Sequence, residues 1–395
     1  MINVRVCQWG FSEWWVVLSS IFFSRKKAPK SLENRLSSVF QRDVLVFNSG
    51  RTAIGLCLQF LRQTHKDKTE VIIPKYICTS VIEVVEKNGF TAVLANVNED
   101  LNLDITSVSS LISVKTAAVI APHMYSCSAK IAELESLADQ HNVFLIDDAA
   151  QVFGVESFKQ SLGTFGNAGI LSFAQAKSIV TGIKGSGGAL ILSDPKLKTF
   201  VQGELEKLDR QQAHFSRFIE FVWVYKWQGM FKHMHYYLGR LKSLCKLNAK
   251  YDYYLPRKIA YVDAALASCQ LSTFEHRKKS IQSKLNIYRH ELSNFTSVSL
   301  PQLKIEDQYL SRLLIKLTTI SPREFSAYMQ REGVATKLAY LDGSRLNDGE
   351  ADSGLIELPL QDISVKNVKH ICQVIKKYNY LAPSKLQQES INVRR

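Results

Sequence analysis

The segment NSGRTAIGL (48–56) joins an apolar run typical of a β-strand to a run typical of a helix. Gly50 permits a tight turn, and Thr52 is a residue type that favours the start of a helix. Backbone N–H groups at a helix start, with a hydroxyl group beside them, can bind an anion such as a phosphate. An ordinary capped turn explains the same residues, and both interpretations stay open at this point.

Two consecutive carboxylates, Asp147 and Asp148, follow an apolar run in IDDAAQ (146–151). Paired aspartates at a strand end can bind Mg²⁺, and one of them can instead hydrogen bond to a cationic nitrogen. Further carboxylates do not recur at a spacing suited to a metal site, so we predict no metal. Aspartate also caps helices well, which is the third interpretation.

SFAQAK (172–177) places Ser172 at a predicted strand end and Lys177 five residues later. A lone lysine is by default a solvated surface residue. Lys177, however, follows a strand of buried character and precedes the glycine-rich IVTGIKGSGGALIL (179–192). A partly buried lysine has a lowered pKa and can attack a carbonyl group to form a Schiff base.

Together, the three segments match the needs of an aldehyde cofactor such as pyridoxal phosphate. Such a cofactor requires an anion site, a carboxylate for its pyridine nitrogen, a flat contact for its ring, and a lysine. The segments supply the first, second and fourth of these in chain order, each at the end of a predicted strand.

From residue 44 onward, apolar runs alternate with helical patterns, which indicates βαβ units and a mostly parallel sheet. The predicted strands are 44–47, 71–74, 92–97, 116–122, 143–147, 169–174 and 188–193, and the predicted helices include 52–63, 79–88 and 129–141. The near-continuous apolar character of the strands is typical of a sheet covered on both faces. Ligands bind beyond the carboxyl ends of the strands in such sheets, where the three segments lie.

The chain has 395 residues, of which 46% are hydrophobic and 22% charged, an ordinary globular composition for roughly two or three domains. A formal net charge of +14 indicates an anionic partner: nucleic acid, an acidic membrane surface or phosphorylated small molecules. The seven cysteines are scattered and form no C-x-x-C pair, which argues against a disulfide framework and a zinc ribbon. We predict reduced thiols and a cytoplasmic protein.

The N-terminal segment, 1–34, contains the apolar run WWVVLSSIFF (14–23), followed by Arg25, Lys26 and Lys27. The run is shorter than the ~20 residues that a membrane-spanning helix needs. Its basic residues follow the run, whereas those of a secretory signal precede it. We interpret the run as a helix that packs on its own protein or on a sister subunit, with an interfacial membrane anchor as the alternative.

A second unusual stretch, 215–254, holds twelve of the chain's forty aromatic residues, interleaved with Arg and Lys. Basic residues between aromatic ones can bind single-stranded nucleic acid or a membrane surface. The favoured interpretation is two helices whose aromatic faces fill a groove between subunits, because no nucleic-acid fold signature accompanies the stretch. We therefore predict no nucleic-acid partner and keep a peripheral membrane contact as an alternative.

The change in pattern after about residue 200 predicts two domains. The predicted divisions are a large domain over 35–250, a helical insert within it at about 211–255, a small C-terminal α+β domain over 255–380, and a disordered tail over 381–395. In the C-terminal part, a helical stretch at 259–293 precedes a strand at 314–321 and a helix at 322–333.

In this order the motifs resemble the DegT/DnrJ/EryC1/StrS family of sugar aminotransferases, within fold type I of the pyridoxal-phosphate enzymes. The matching motifs are NSGRTA (48–53), VIIPKYICTSVIEVVEKNGFTAVLANVNEDLNLD (71–104), IDDAAQVFG (146–154), GTFGNAGILSFAQAK (163–177), GGALIL (187–192) and, less closely, AALASCQL (264–271). The similarity covers roughly residues 35–380. It implies an α/β fold, with a mostly parallel seven-stranded sheet between helices and a smaller C-terminal α+β domain.

The resemblance implies roles for the residues at the matching positions. Lys177 binds the cofactor aldehyde as a Schiff base and then moves the proton of the amino-acid substrate. Asp148 keeps the pyridine nitrogen protonated, and Gln151 hydrogen bonds to the phenolic oxygen of the ring. The implied phosphate contacts are Gly50, Arg51, Thr52 and Ser172.

Several positions depart from the family pattern. Three extra residues between Lys177 and the glycine pair include Lys184, a rival Schiff-base lysine. Tyr125-Ser126 replaces a Tyr-Gly turn. The Asn-x-Arg element that reaches the neighbouring subunit's phosphate is replaced near Pro256 and Lys258.

Three further residues are candidates for contacts with the ring or the substrate. Cys78 stands where the family usually stacks an aromatic side chain on the ring. His123 follows a strand near the site and is a candidate substrate contact, although a structural histidine is the favoured interpretation. Tyr340 aligns loosely with a sugar-contacting position. Some family members carry His in place of the lysine and dehydrate their substrate, and Lys177 argues against that activity.

The resemblance implies a pyridoxal-phosphate-dependent aminotransferase that converts the keto group of a nucleotide-linked deoxysugar to an amine. It also implies glutamate as the nitrogen donor, a homodimer with its sites near the interface, and a role in surface polysaccharide (O-antigen) biosynthesis. The positive net charge suits a diphosphate-linked substrate. The alternative is a catalytically weak relative that acts as a regulator, or as a membrane-surface scaffold through 215–254.

Overall fold

A computed structural model of the chain describes the architecture. The described residues are 2, 9–182, 185–213, 217–219, 255–293, 295, 298–300, 309–317, 321–339, 354–361 and 363–392. None of the helices in these ranges reaches the combination of length and hydropathy that crossing a bilayer requires.

The larger part of the described chain alternates strands and helices, as the sequence predicts. The strands are β1 (Asp43–Phe47), β2 (Glu70–Pro74), β3 (Thr91–Ala95), β4 (Thr116–Pro122), β5 (Phe144–Asp148), the short hairpin β6 (Glu156–Ser157) and β7 (Gln160–Ser161), β8 (Ala168–Ser172) and β9 (Gly188–Leu192). The helices are α1 (Phe11–Phe22), α2 (Ala28–Phe40), α3 (Gly50–Thr64), α4 (Thr79–Lys87), α5 (Ile105–Leu111), α6 (Ile131–Gln140) and α7 (Pro195–Lys207).

Seven of these strands form one sheet in the order β1-β9-β8-β5-β4-β2-β3. The pairs β2/β3, β2/β4, β4/β5 and β5/β8 are parallel, and β9 runs antiparallel to both of its neighbours. The predicted α/β fold with a mostly parallel seven-stranded sheet is therefore confirmed. Because six of the seven strands run in one direction, their carboxyl ends meet at one edge.

Successive residues in the central strands are buried on opposite faces of this sheet, as the two-residue repeat of a strand requires. Ile72, Val119 and Leu145 join a core cluster that includes residues of α2 and α6. Ile73, Ile120 and Ile146 join a second cluster with residues of α3, α4 and α7. Because helices cover both faces of the sheet, its strands are nearly continuous runs of apolar residues.

Glycine allows α3 to begin directly against the carboxyl edge of the sheet. A Cβ atom at Gly188 would lie 2.2 Å from the backbone nitrogen of Gly50 and 2.5 Å from the carbonyl carbon of Ser49. Both neighbours are backbone atoms that cannot rotate away. The close approach of β9 to the start of α3 therefore requires glycine at 188.

The C-terminal part forms the predicted smaller α+β unit. It comprises α8 (Tyr261–Ser272), α9 (Phe274–Leu292), β10 (Val298–Ser299), β11 (Arg312–Leu317), α10 (Pro322–Arg331), β12 (Lys337–Leu338), β13 (Leu355–Pro359) and α11 (Val365–Asn392). The four strands form an antiparallel sheet in the order β10-β11-β13-β12. The helical stretch predicted at 259–293 is thus two helices that meet at Thr273.

The C-terminal helix extends past the predicted end of the small domain. The prediction placed a disordered tail over 381–395, and in the structure α11 continues as far as Asn392. Its composition is polar but rich in good helix formers such as Leu, Lys, Gln and Glu. The polar composition favoured a prediction of disorder, although the segment extends the preceding helix.

The two N-terminal helices pack on the larger part. Helix α2 lies against α8 and β1, and α1 lies against α8. Val17 of α1 is fully buried in a cluster with Trp9, Val180 and Leu266. The interpretation of 14–23 as a helix that packs on its own protein is supported for this side of the helix.

Candidate functional site

The predicted anion site lies at the start of α3, on the carboxyl edge of the sheet. The helix begins at Gly50, two residues earlier than predicted. Ser49 caps it, because its Oγ accepts a hydrogen bond from the Thr52 backbone N–H at 3.2 Å. The Thr52 hydroxyl donates to Asn48 Oδ1 at 2.6 Å. The N–H groups of the first helical turn have no acceptor within the helix, so this end can bind an anion.

Ser172 lies beside that helix start. It ends β8, and its Cβ is 3.5 Å from the position that a Cβ on Gly50 would take. Ser172 and Arg51 are both half-buried. The structure thus brings together all four residues to which the resemblance gave phosphate contacts, Gly50, Arg51, Thr52 and Ser172.

The two aspartates at the end of β5 have different surroundings. Asp147 is fully buried, and its carboxylate accepts hydrogen bonds from His123 Nε2 at 2.6 Å, Gly163 N at 2.7 Å and Phe165 N at 3.1 Å. These three partners hold the Asp147 carboxylate inside the protein. In the described ranges, no group of three or more His, Cys, Asp and Glu residues is placed to hold a metal ion.

Asp148 lies close enough to Lys177 for each charge to act on the other. Burial raises the pKa of Asp148, while the positive charge of Lys177 is the largest effect that opposes the rise. An oxygen of the Asp148 carboxylate accepts a hydrogen bond from Ala150 N at 3.0 Å. The carboxylate is therefore available to pair with a cationic nitrogen.

Lys177 lies in the turn after β8 and is half-buried. Burial lowers its pKa to about 8. Among the charged groups around it, Asp148 acts most strongly to raise the pKa and Arg312 to lower it. Ala176, next to Lys177, has a left-handed backbone (φ 63°), and its carbonyl accepts a hydrogen bond from Ser311 Oγ at 2.9 Å. Backbone strain at one residue, held by a contact from the C-terminal part, is typical of a functional position.

The lowered pKa predicts unusual reactivity for Lys177. With a pKa of about 8, roughly a tenth of this amine is uncharged at pH 7, against fewer than about one in a thousand for an ordinary lysine. In cofactor-free protein, reductive methylation of Lys177 should reach half its maximal rate near pH 8, measured by mass spectrometry of peptides. A lysine with the ordinary pKa of about 10.4 would reach it about two pH units higher. A methylation rate of Lys177 that rises only in that higher range would contradict the prediction.

Cys78 and Gln151 lie on the same side of the sheet. Cys78 directly precedes α4 and is half-buried, with its Sγ 3.1 Å from Ser80 Oγ. It is one of the groups whose charge acts on the pKa of Lys177, so it lies near that amine. Gln151 accepts a hydrogen bond from Tyr125 N at 3.4 Å. Cys78 thus lies near Lys177, and Gln151 follows Asp148 by three residues in the chain.

His123, a candidate substrate contact, is fully buried. Its Nδ1 accepts a hydrogen bond from Ala129 N at 3.0 Å, so in the neutral ring Nε2 carries the hydrogen and donates it to Asp147. Both ring nitrogens are used inside the protein. This geometry supports the structural interpretation of His123 and gives no support to a substrate contact.

Replacing His123 with alanine should therefore affect stability more than catalysis. The change removes one charge-assisted hydrogen bond from buried Asp147 and leaves a cavity, so we expect the free energy of unfolding to fall by about 2–4 kcal/mol. Chemical denaturation measures this fall. The folded variant should keep kcat within about threefold of wild type, and a fall of a hundredfold without loss of stability would instead indicate a direct catalytic role.

The turn at Tyr125-Ser126, where the family has Tyr-Gly, adopts the left-handed conformation that glycine favours. The φ angles are 49° and 63°. The Ser126 hydroxyl lies 2.9 Å from the carbonyl oxygen of Gln151 and 2.7 Å from that of Tyr309. These contacts hold serine in a conformation that its side chain disfavours.

A polar cluster between the two parts was missed by the sequence reasoning. Arg312 Nε lies 3.2 Å from Glu357 Oε1, and the Tyr125 hydroxyl donates to the same oxygen at 3.2 Å. Glu357 is fully buried, and both Arg312 and Glu357 act on the pKa of Lys177. The sequence contains one feature that could have revealed this cluster, because Glu357 is a charged residue within the otherwise apolar strand LIELP (355–359).

Some of the singled-out residues lie outside the described residues, and one segment that is described packs near the start of α3. Lys184, Tyr340 and most of 215–254 are outside them. Lys258 is described: its Nζ donates to the carbonyl oxygen of Glu206 at 3.2 Å, and the Asn48 backbone N–H donates to the carbonyl oxygen of Arg257 at 3.0 Å. The segment that departs from the family pattern thus packs on its own chain beside the start of α3.

Residues 15–349 match a sequence model of the DegT/DnrJ/EryC1/StrS aminotransferase family. A UDP-N-acetyl-3-dehydro-alpha-D-glucosamine 3-aminotransferase of Acidithiobacillus ferrooxidans is 31% identical over 156 residues, which are 39% of this chain and 41% of that relative. The chain thus spans about two fifths of the length of this curated relative.

Solved structures match over nearly the whole chain. Helicobacter pylori PseC, an aminotransferase involved in the biosynthesis of pseudoaminic acid, has a TM-score of 0.73 at 16% identity, covering 94% of this chain and 97% of that one. An Escherichia coli GDP-4-keto-6-deoxy-D-mannose-3-dehydratase with bound hydrated PLP has a TM-score of 0.72 at 13% identity, covering 95% and 99%. At such identities the likeness establishes the fold alone.

Proposed function

Because the chain belongs to the DegT/DnrJ/EryC1/StrS aminotransferase family, we propose that it is a pyridoxal-phosphate-dependent aminotransferase acting on a nucleotide-linked keto sugar. The observation that carries the proposal is the nearness of two charged residues: Asp148 ends β5, and Lys177 follows the adjacent strand β8, whose last residue lies beside the start of α3. Each of these two residues is the strongest opposite charge acting on the other. An anion site, a carboxylate and an amine of lowered pKa therefore meet at one edge of the sheet.

The residues present fit this cofactor. The start of α3, with Gly50, Arg51, Thr52 and Ser172, would hold the phosphate, since backbone N–H groups and hydroxyls bind it well. Asp148 would hold the protonated ring nitrogen, and Gln151 and Cys78 would border the ring. When bound, pyridoxal phosphate supplies an electron sink for the negative charge that develops at the substrate carbon.

Lys177 carries the proton chemistry of the proposed reaction. An amine with a pKa of about 8 can be uncharged or protonated near neutral pH, so it can both accept and return a proton. The same residue would hold the cofactor aldehyde between turnovers. Asp148 keeps its charge in the buried site only while a cation faces it, and Lys177 or the ring nitrogen provides that cation.

We further propose that the acceptor is a nucleotide-diphosphate keto-deoxysugar and that glutamate is the amino donor. The net charge of +14 favours a diphosphate-linked substrate, and the printed name of the Acidithiobacillus relative contains a UDP-linked sugar. A homodimer and a role in surface polysaccharide biosynthesis belong to the same proposal. A cytoplasmic location fits the free thiols of Cys57, Cys78, Cys127, Cys269 and Cys372.

The test is an assay of a panel of nucleotide-linked keto-deoxysugars with glutamate as donor. We expect the formation of an amino sugar from at least one member, together with 2-oxoglutarate in equal amount. A purified protein that is colourless, binds no pyridoxal phosphate and turns over no member of the panel would contradict the proposal. That result would favour a regulator or scaffold instead.

A further inference from the structure

Helix α1 carries an apolar face on its exposed side as well as on its buried side. Phe11, Trp15, Leu18 and Phe22 are 85%, 61%, 37% and 80% exposed. Their spacing of four, three and four residues places them in one stripe along the helix. We call these four residues the outer stripe. It continues past the end of the helix into Phe23, which is 69% exposed.

The outer stripe is not needed to hold α1 on the protein. Val17 and Ser20 lie on the opposite side, where the helix packs on α8. A single exposed apolar residue is ordinary, but five large ones in a continuous row are typical of a binding surface. We therefore expect the outer stripe to bind a partner that presents an apolar layer.

The charges that follow the outer stripe in the chain indicate what kind of partner. Lys26 and Lys27 come soon after α1 and, with Lys30 and Arg35 of α2, line an open hollow of about 680 Å³. The described residues that line this hollow include no Asp or Glu. A row of exposed apolar residues is thus followed, within a few residues of chain, by a concentration of positive charge.

We propose that the outer stripe and this basic hollow bind the surface of a membrane that contains anionic lipids. Aromatic and aliphatic side chains enter the boundary between headgroups and acyl chains, and Lys and Arg pair with the headgroup phosphates. Tryptophan prefers this boundary, as Trp15 would. The helix would lie in the plane of the surface, since its twelve residues are too few to span a bilayer.

A second observation extends the surface. Ile21, Phe22 and Phe23 line another open hollow, of about 460 Å³, together with Gln212 and Tyr261. The exposed apolar surface thus reaches beyond the outer stripe to the end of α1 and the residues after it.

Charge also distinguishes a lipid surface from a second copy of the chain. In a two-fold interface the same patch of both copies is buried, so the basic residues that follow the outer stripe would lie either against the second copy's apolar row or against its basic residues. Burying a charge against apolar groups is unfavourable, and so is opposing like charges across an interface. An anionic bilayer, by contrast, complements both the apolar row and the positive charge.

The test is sedimentation of the full-length protein with vesicles. We expect binding to phosphatidylcholine vesicles that contain phosphatidylglycerol, and little binding to phosphatidylcholine alone. The double variant F11S/F22S should lose at least about tenfold in affinity. F158S is the matched control, because Phe158 is 87% exposed on the β6–β7 hairpin, and it should bind like wild type.

A pair of charge variants tests the electrostatic half of the proposal. K26E/K27E should lose about tenfold in affinity, and this loss should shrink as salt is raised. K66E, at an exposed lysine outside the hollow, should bind like wild type. The proposal would be overturned if the wild-type protein did not bind anionic vesicles. It would also be overturned if F11S/F22S bound them as tightly as wild type. Conversion of an oligomer to monomers by F11S/F22S would overturn it too, because that result would assign the stripe to a subunit interface.

Discussion

Replacing Lys177 with alanine is expected to lower the rate of transamination by about four orders of magnitude or more, with the fold intact. Lys177 is the half-buried amine with the lowered pKa, and a catalytic proton transfer of this kind contributes up to about 10⁴-fold. Alanine also removes the group that holds the cofactor aldehyde. The purified variant should therefore lack the yellow colour of the wild-type protein, and steady-state kinetics measures the lost rate.

Lys184 provides the matched control, since it follows in the same glycine-rich segment and was the rival lysine on sequence grounds. K184A should stay yellow and keep kcat within about tenfold of wild type. A K177A protein that keeps both colour and activity, with K184A losing them, would reverse the assignment. Both variants should be compared in thermal unfolding, so that a folding defect is not read as a catalytic one.

Replacing Asp148 with asparagine is expected to lower kcat by about a hundredfold to a thousandfold. The amide has nearly the same shape as the carboxylate but carries no charge, so it cannot keep a ring nitrogen protonated. Loss of one preorganised electrostatic partner typically costs this much. The pKa of Lys177 should also fall further, because Asp148 is the group that most strongly raises it. The pH profile of kcat measures this second effect.

The adjacent Asp147 is the matched control for that substitution. It accepts three hydrogen bonds from His123, Gly163 and Phe165 and is fully buried. D147N should therefore lower the free energy of unfolding by about 2–4 kcal/mol, while the folded fraction keeps most of its activity. Equal losses of kcat in D147N and D148N would contradict the division of roles between the two aspartates.

The fold could be predicted closely because its strands are buried on both faces. All seven strands of the main sheet lie within two residues of the predicted bounds, since apolar runs such as TAAVIAP (116–122) end where the burial ends. The start of α3 shifted from 52 to 50 because Ser49, not a later residue, caps the helix. A cap depends on one local hydrogen bond, and the sequence contains several hydroxyl residues that could make it.

Residue types alone predicted the site as a set of segments, and the choice of Asp148 over Asp147 came from the family resemblance. The two aspartates are chemically alike in sequence, and in the structure the hydrogen bonds that Asp147 accepts from His123, Gly163 and Phe165 distinguish them. Arg312 and Glu357 lie on β11 and β13, which are far from β5 in the chain. No short sequence motif therefore contains their ion pair together with Asp148. Likewise, a run such as 14–23 does not reveal from its composition which of its apolar residues stay exposed.

The proposed function requires that one amine, Lys177, faces one carboxylate, Asp148, across a bound vitamin B6 aldehyde. Borohydride reduction of the protein loaded with pyridoxal phosphate, followed by peptide mapping, tests this most directly. We expect the cofactor to be fixed to the peptide that carries Lys177, in wild type and in D148N alike. Attachment at Lys184 or elsewhere, or no attachment at all, would contradict the account.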